Sequence, residues 1–336
     1  DVKRVFGLIL LGLGFMLIVL APLFRFYVGP SAAVAPLDQY TVSEGVGVAV
    51  KQLNIAKFAA GDADPYFPAN TPMTNTRYTR GDVLAADQDP AKSDGLAVYD
   101  TFSRTNADDG RLITASQSRY AFGQTDSQLA NCCGANVAGK TVNFSGIMPL
   151  KFPFFVKEQT YDIWDDQLQA TAPAVFEAKE DHAGVASYRF TQAIPPTQVP
   201  GSEMKVPAKI VKLPGSGDVT ISQYYENTTT FWIEPLTGQI VDTAATPTVT
   251  FRGPDGTTDL ATALSVKASA SPAYLEQAAK DINAKASQLN LVMNVLPIVF
   301  LILGIILVVI GWLMAKSGAK SKEATAVSTS GAPPAA

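Results

Sequence analysis

The chain has 336 residues, 26 Lys plus Arg against 30 Asp plus Glu, a single histidine and two cysteines, and 47% of its residues are hydrophobic. A formal net charge of −4 with no basic cluster argues against nucleic acid as a partner, since phosphate binding needs concentrated Lys and Arg. So few His and Cys residues leave little for a metal centre, and no cofactor is implied.

In chain order, residues 5–28 (VFGLILLGLGFMLIVLAPLFRFYV) are apolar except for Arg25. At about 1.5 Å per residue this run exceeds the ~30 Å hydrocarbon core of a bilayer and predicts a transmembrane helix. The alternative is a cleaved signal peptide. The run is longer than the roughly 7–15 residues of a signal h-region, and Arg25, Phe26 and Tyr27 resemble an interfacial girdle, so a retained signal anchor is expected.

Residues 29–290 form the expected extramembrane domain, large enough for a sizeable core. Tyr40, Val42, Val46, Val48 and Val50 recur at even spacing, which predicts a half-buried strand over 40–50. The Asp, Pro, Asn and Thr of 61–75 read as loop. Strands are expected at 77–84 and 96–103, with two more at 111–116 and 118–122. Cys132 and Cys133 are adjacent, in a loop-like setting before Gly134. A disulfide between neighbours requires a distorted turn, because their Cα atoms are ~3.8 Å apart, so a vicinal bridge and a pair of buried thiols both stay open.

The segment 142–189 is the densest in rings. Phe152, Phe154 and Phe155 flank Pro153, and Tyr161 and Trp164 follow. Such density reads either as core or as the lining of an apolar cavity for a lipid-like ligand. Asp162, Asp165 and Asp166 read as a solvated turn, and His182 as a loop residue. Farther on, Pro195, Pro196 and Pro200 punctuate the chain. Strands 224–234 and 239–243 are expected to pair across Pro235-Leu236-Thr237-Gly238, a loop built on a type I turn closed by a left-handed residue. Strands at 248–252 and 260–266 complete the sheet. Ser271 and Pro272 then suit the N-cap and first position of a helix, which the spacing of Tyr274, Ala278, Ile282 and Leu289 extends over 272–290 and on into the membrane.

The second anchor is expected over 291–315. Its core, 295–314 (VLPIVFLILGIILVVIGWLM), has no charge. Lys3 and Arg4 precede the first anchor, and Lys316, Lys320 and Lys322 follow the second. The positive-inside rule therefore puts the short N-terminus, 1–4, and the tail, 316–336, in the cytoplasm, with the main domain outside. Small polar residues make that tail an expected disordered segment. Gly7 and Gly14 are seven residues apart, as are Gly304 and Gly311, and seven residues are close to two helical turns. Each pair marks one face, so the anchors are expected to pack antiparallel with Gly7 near Gly311 and Gly14 near Gly304.

Several stretches carry a resemblance. They are Phe144-Ser145-Gly146-Ile147-Met148-Pro149-Leu150-Lys151-Phe152-Pro153-Phe154, then Thr160-Tyr161-Asp162-Ile163-Trp164-Asp165, the strand at 184–190, the paired cysteines and the 224–241 hairpin. Together they resemble the actinobacterial membrane-protein family labelled porin PorA, a domain of unknown function, over essentially the whole chain. The resemblance implies two anchors around a β-rich ectodomain, and it brings no catalytic residue.

The expected fold is thus a membrane-anchored α+β chain with N- and C-terminal transmembrane helices flanking a barrel-like or sandwich-like β domain, placed in the plasma membrane as a two-pass protein. No G-x-S-x-G elbow, P-loop or H-E-x-x-H is present, so no enzyme is expected. The leading functional expectation is binding or handing on of an apolar, lipid-like ligand in cell-envelope assembly, with membrane lipids as partners. The alternatives are a scaffold for an envelope lipid transporter or synthase and a pore-forming protein of the porin type.

Overall fold

A computed structural model describes residues 2–327, with side chains as far as residue 316. It resolves into two compact units, one drawn from the two ends of the chain and one spanning Val34–Ala286.

In the unit built from the chain ends, helix α1 (Val2–Leu23) passes through a π-helical turn (Phe24–Val28) into the short α2 (Gly29–Ala32). The C-terminal helix α6 (Leu296–Val327) is preceded by a second π-helical turn (Leu291–Val295). Each π turn lies beside a proline, Pro22 or Pro297, whose missing N–H already interrupts the regular helical ladder. Helices α1 and α6 pack antiparallel on glycine. A Cβ on Gly14 would lie 2.7 Å from the Gly304 carbonyl oxygen, and one on Gly311 would lie 2.6 Å from that of Gly7. Only hydrogen fits there, and the backbones touch. Arg25 donates to the Met293 carbonyl at 2.9 Å and to Asn294, tying one π turn to the other. The remaining helix faces expose Phe15, Val19, Ile302 and Trp312. Among the described residues, two helical runs are long and apolar enough to cross a membrane. The backbone of 317–327 continues α6 where the sequence led to an expected disordered tail, and residues 328–336 of that tail lie outside the described residues.

The second unit is an antiparallel sheet. Its strands are β1 (Tyr40–Gln52), β2 (Thr71–Gly81), β3 (Leu96–Ala107), β4 (Leu112–Gly123), β5 (Leu129–Ala130), β6 (Asn136–Val137) and β7 (Tyr161–Asp165). They continue as β8 (Ala170–His182), β9 (Val185–Gln198), β10 (Met204–Pro207), β11 (Asp218–Ile233), β12 (Ile240–Ala245), β13 (Thr248–Arg252) and β14 (Asp259–Ala270). Single turns of helix, α3 (Ile55–Ala59) and α4 (Val83–Ala86), are capped by the side chains of Asn54 and Asp82. The order is β5-β4-β3-β2-β1-β14-β12-β11-β9-β8-β7, with β10 on β11, β6 on β4, and β13 between β11 and β14.

The two edges of this path are joined through a third segment. Ile147 is bridged to Gln128 beside β5 and to Ile163 in β7, with the Ile147 N–H donating to the Asp162 carbonyl at 2.9 Å. The sheet thereby returns on itself as a barrel, and neither edge is left open along this seam.

Three differences from the sequence expectations have local causes. The two strands expected at 111–122 are one strand, β4, because Gln117 is an ordinary exposed position in it. Strand β8 went unread because Pro173 interrupts its pattern, yet Pro173 sits opposite Asp162 in a regular pair. Strand β9 runs through Pro195 and Pro196, which lie at its exposed end. The expected 235–238 turn is present, with Gly238 at φ +70° and its N–H on the Glu234 carbonyl. No other residue fits at Gly238, because a Cβ would meet the Phe152 and Pro153 carbonyl oxygens at 2.3 and 2.2 Å. Helix α5 (Pro272–Asn290) begins with the Tyr274 N–H on the Ser271 hydroxyl at 3.2 Å, and packs Ala278, Ala279 and Ile282 onto Val185 and Val241.

Candidate functional site

A sheet alternates its side chains, so every second residue of β1 shares a face with every second residue of β14 and β11. Register sets Val46 opposite Ser269 and Val48 opposite Lys267, and on the far side Thr228 opposite Ala193 and Thr230 opposite Ala244. Ala49 of β1, Met73 of β2 and Val266 of β14 form a buried cluster, and Val266 also borders the groove. Strand β12 meets β14 at a single pair, Ala245 with Ala268, whereas β13 continues beside β14 from Thr248–Ser265 to Arg252–Asp259. Where β12 and β14 part, the small side chains of Ala244, Ala245 and Ala268 border the gap.

The result is a groove of two adjoining hollows. One of about 640 Å³ is walled by Val50, Ile194, Pro195, Pro196 and Val266 with Glu226, Asn227 and Thr248. The second, of about 530 Å³, is walled by Val46, Val48, Ala244, Ala245 and Ala268 with Thr230 and Ser269. Thr228, Thr246 and Lys267 line both. The wall is mostly aliphatic groups and hydroxyls, with Glu226, Asn227 and Lys267 among them, and no aromatic ring contributes to it. Such a surface accepts hydrocarbon along its length and offers neutral hydrogen bonds to oxygen.

The rings singled out in the sequence lie elsewhere. Phe152 is buried at 1% exposure between Tyr161, Phe190 and Phe231, with ring centroids 5.0–5.9 Å apart. Trp164, 2% exposed, packs on Phe144 at 4.8 Å. Phe154 lies under the Lys151 ammonium, 3.8 Å from the ring centre, and Phe155 is exposed on the surface. Phe152 and Tyr161 meet in one core cluster and Trp164 joins another, so the five residues do not come together around a hollow, and none of them lines the groove.

The acidic run is only partly solvated: Asp162 is exposed in β7, whereas Asp165 and Asp166 are half-buried and hydrogen-bonded. Asp166 accepts from the Trp164 indole at 2.8 Å and from the Ser118 and Tyr120 hydroxyls, each at 2.6 Å, which pins β4 to the end of β7 across the seam. Burial, followed by the Asp166 charge, pushes the Tyr120 phenol well above its ordinary range. Asp165 accepts the Gln167 and Leu168 N–H groups and the Tyr225 hydroxyl, while burial raises its carboxyl above the usual value. His182 ends β8, where its Nε2 lies 2.9 Å from Asp242 and its ring stacks 4.1 Å from Trp232. Lys151 donates to the Phe152 and Thr237 carbonyls, and burial pushes its ammonium down to about 7. Cys132 and Cys133 are joined as a disulfide, with Cys133 in the left-handed region. Among the described residues no group of three or more His, Cys, Asp or Glu is placed to hold a metal ion.

Lys267, Thr228 and Ala244 carry no local signal, because each is ordinary within its own strand and only the sheet brings them together. The even-spaced valines of β1 were a signal for a strand but not for which of its faces would stay open.

Comparison with known proteins places the chain in context. The family model described as Porin PorA matches residues 6–313. A Porin PorA of Corynebacterium amycolatum is 22% identical over 296 residues, covering 71% of this chain and 76% of its own length.

Proposed function

The chain belongs to the porin PorA family, and from that premise we propose that it is a plasma-membrane protein whose β domain binds a lipid-like ligand in the methyl-lined groove. The groove itself carries the reading: two connected hollows of hundreds of cubic ångströms, walled by Val, Ala, Ile and Pro with hydroxyls between, in a chain with two membrane-length helical runs. Both termini are cytoplasmic in this reading and the domain stands outside, in keeping with Lys3, Arg4 and Lys316 at the helix ends. The protein binds or passes on its ligand without catalysing a covalent step.

Native mass spectrometry of the detergent-extracted chain tests the proposal. A co-purifying lipid that is lost when Ala244 is replaced by Trp supports it, and a ligand-free protein with an unchanged spectrum after that substitution rejects it.

A second reading, pore formation, is favoured by the name that the family model and the relative carry. For the sheet to line such a pore within lipid, its exposed face would need an apolar band. That face carries Glu44, Arg80, Asp100, Arg104 and Lys267, all exposed. A pore would therefore have to be built from the helices of several copies. Stepwise conductance in planar bilayers, abolished by separating α1 from α6 with Gly14→Leu, would favour this reading over the first.

A further inference from the structure

The groove has a polarity that its apolar walls alone do not explain. Its two hollows share Thr228, Thr246 and Lys267, and Lys267 is the only cation among their lining residues. Lys267 is exposed, and its ammonium makes no hydrogen bond or ion pair with any described residue. The sole carboxylate, Glu226, lines the larger hollow and not the smaller one, and it too has no described partner. The remaining polar side chains of the lining are neutral, the Asn227 amide and hydroxyls among which are those of Thr228, Thr246 and Ser265. Each hollow has its own aliphatic residues, Val50, Ile194 and Pro195 in one and Val46, Val48 and Ala244 in the other.

We infer that the groove takes an amphiphile with two hydrocarbon chains and one anionic head, the head held at Lys267 and one chain lying in each hollow. The inference rests on the groove being the ligand site. Its geometry is a branch: one cation shared by two hollows, each with aliphatic side chains in its wall, and one carboxylate, Glu226, in the larger hollow only. At the ~30 Å³ that a water-sized group occupies in a liquid, each arm has room for roughly twenty such groups, the scale of one long acyl chain. An ammonium is a compact point charge that binds phosphate or carboxylate without demanding a fixed fork geometry, and the hydroxyls beside it donate to ester oxygens. A single-chain amphiphile would leave one arm filled with water. A neutral diacyl lipid would leave the ammonium without a counter-charge.

The test loads the full chain in detergent from phosphatidylcholine vesicles doped with phosphatidic acid, lysophosphatidic acid or diacylglycerol, and reads retained lipid by native mass spectrometry. The unmodified protein is expected to retain phosphatidic acid over both of the others. Lys267→Gln, at an exposed position, should cut phosphatidic acid retention by roughly tenfold or more, the effect of losing one charge-assisted hydrogen bond, while diacylglycerol retention stays as it was. Ala244→Trp or Ala193→Trp, each closing one arm, should remove the preference for two chains and leave lysophosphatidic acid bound.

Equal phosphatidic acid retention by Lys267→Gln and the unmodified protein overturns the head assignment. Lysophosphatidic acid held as well as phosphatidic acid by the unmodified protein overturns the two-chain assignment. Displacement of the lipid by inorganic phosphate alone would make this a site for free anions, and the inference would fall. Lipid retention that survives both tryptophan variants unchanged rejects the groove as the site, an outcome distinct from failure of Lys267.

Discussion

The ring-rich segment around Phe152 and the groove around Lys267 belong to the same sheet and were made by opposite means. In the first, Phe144, Phe152, Tyr161, Trp164, Phe190 and Phe231 are buried and pack ring on ring in edge-on and tilted contacts. In the second, threonine, valine and alanine stand on strands that part company after Ala245, and space is left over. Large aromatic side chains bury the most surface per residue and so are drawn into closed cores. Small β-branched residues satisfy a pleated surface without filling what lies above it. In this chain the segment most conspicuous in sequence is structural, and the candidate site is built from inconspicuous residues.

Breaking the ring cluster should produce the largest effect. Phe152→Ala is expected to destabilise the β domain by about 3–5 kcal/mol, as for other buried aromatics, with lipid retention unchanged per folded molecule. Thermal unfolding of the detergent-solubilised chain alongside native mass spectrometry separates the two quantities. A loss of lipid with full stability would return these rings to the role of a lining.

The seam comes next. Asp166→Ala leaves the Trp164 indole and the Ser118 and Tyr120 hydroxyls without their acceptor, at an expected cost of about 1–3 kcal/mol. Asp166→Asn should recover part of it, since an amide oxygen still accepts. Equal stability of all three proteins would show that Ile147 closes the sheet unaided.

A smaller effect is expected from Lys151, whose ammonium is half-buried beside the ring cluster. Its folded pKa of about 7 lies below the ~10.4 of an unfolded lysine, so the unfolded chain binds more protons between those values. The cost of the buried charge is present in full below pH 7 and is relieved as pH rises. Melting temperature should therefore increase from pH 7 to pH 9, and Lys151→Met should remove that increase. A flat profile in the unmodified protein would show that the two carbonyls and the Phe154 ring hold the charge without penalty.

Groove substitutions should have the smallest effect on folding. Thr230→Ala and Lys267→Gln are expected to change stability by no more than about 0.5 kcal/mol, as other surface changes do, while altering what is bound. A large melting shift in either would place these residues with the core and erase the contrast between the two regions.

Much of the architecture was legible from local pattern. The apolar runs near the two ends, the Pro235–Gly238 turn and the Ser271 cap each rest on a rule that acts over a few residues, and the structure has helices and a turn at those places. Glycine spacing on α1 and α6 likewise specified which faces could approach, because seven residues return to the same side of a helix. Strand β8 and the far end of β9 were obscured by proline, which an exposed position tolerates and a pattern search treats as a break.

What sequence alone determined was the plan of two membrane-length helices around a β-rich domain, since bilayer thickness, helix rise and the two-residue period of a strand are properties of the chain itself. Tertiary structure alone decided the groove and the seam. Val48, Ala193, Thr228 and Lys267 are far apart in the chain and meet only because β1, β14, β12, β11 and β9 are neighbours in one sheet. The period of a strand says which of its residues share a face. Which strand lies beside it, and where the two diverge, is settled by the packing of the whole sheet, and no stretch of sequence carries a mark of that.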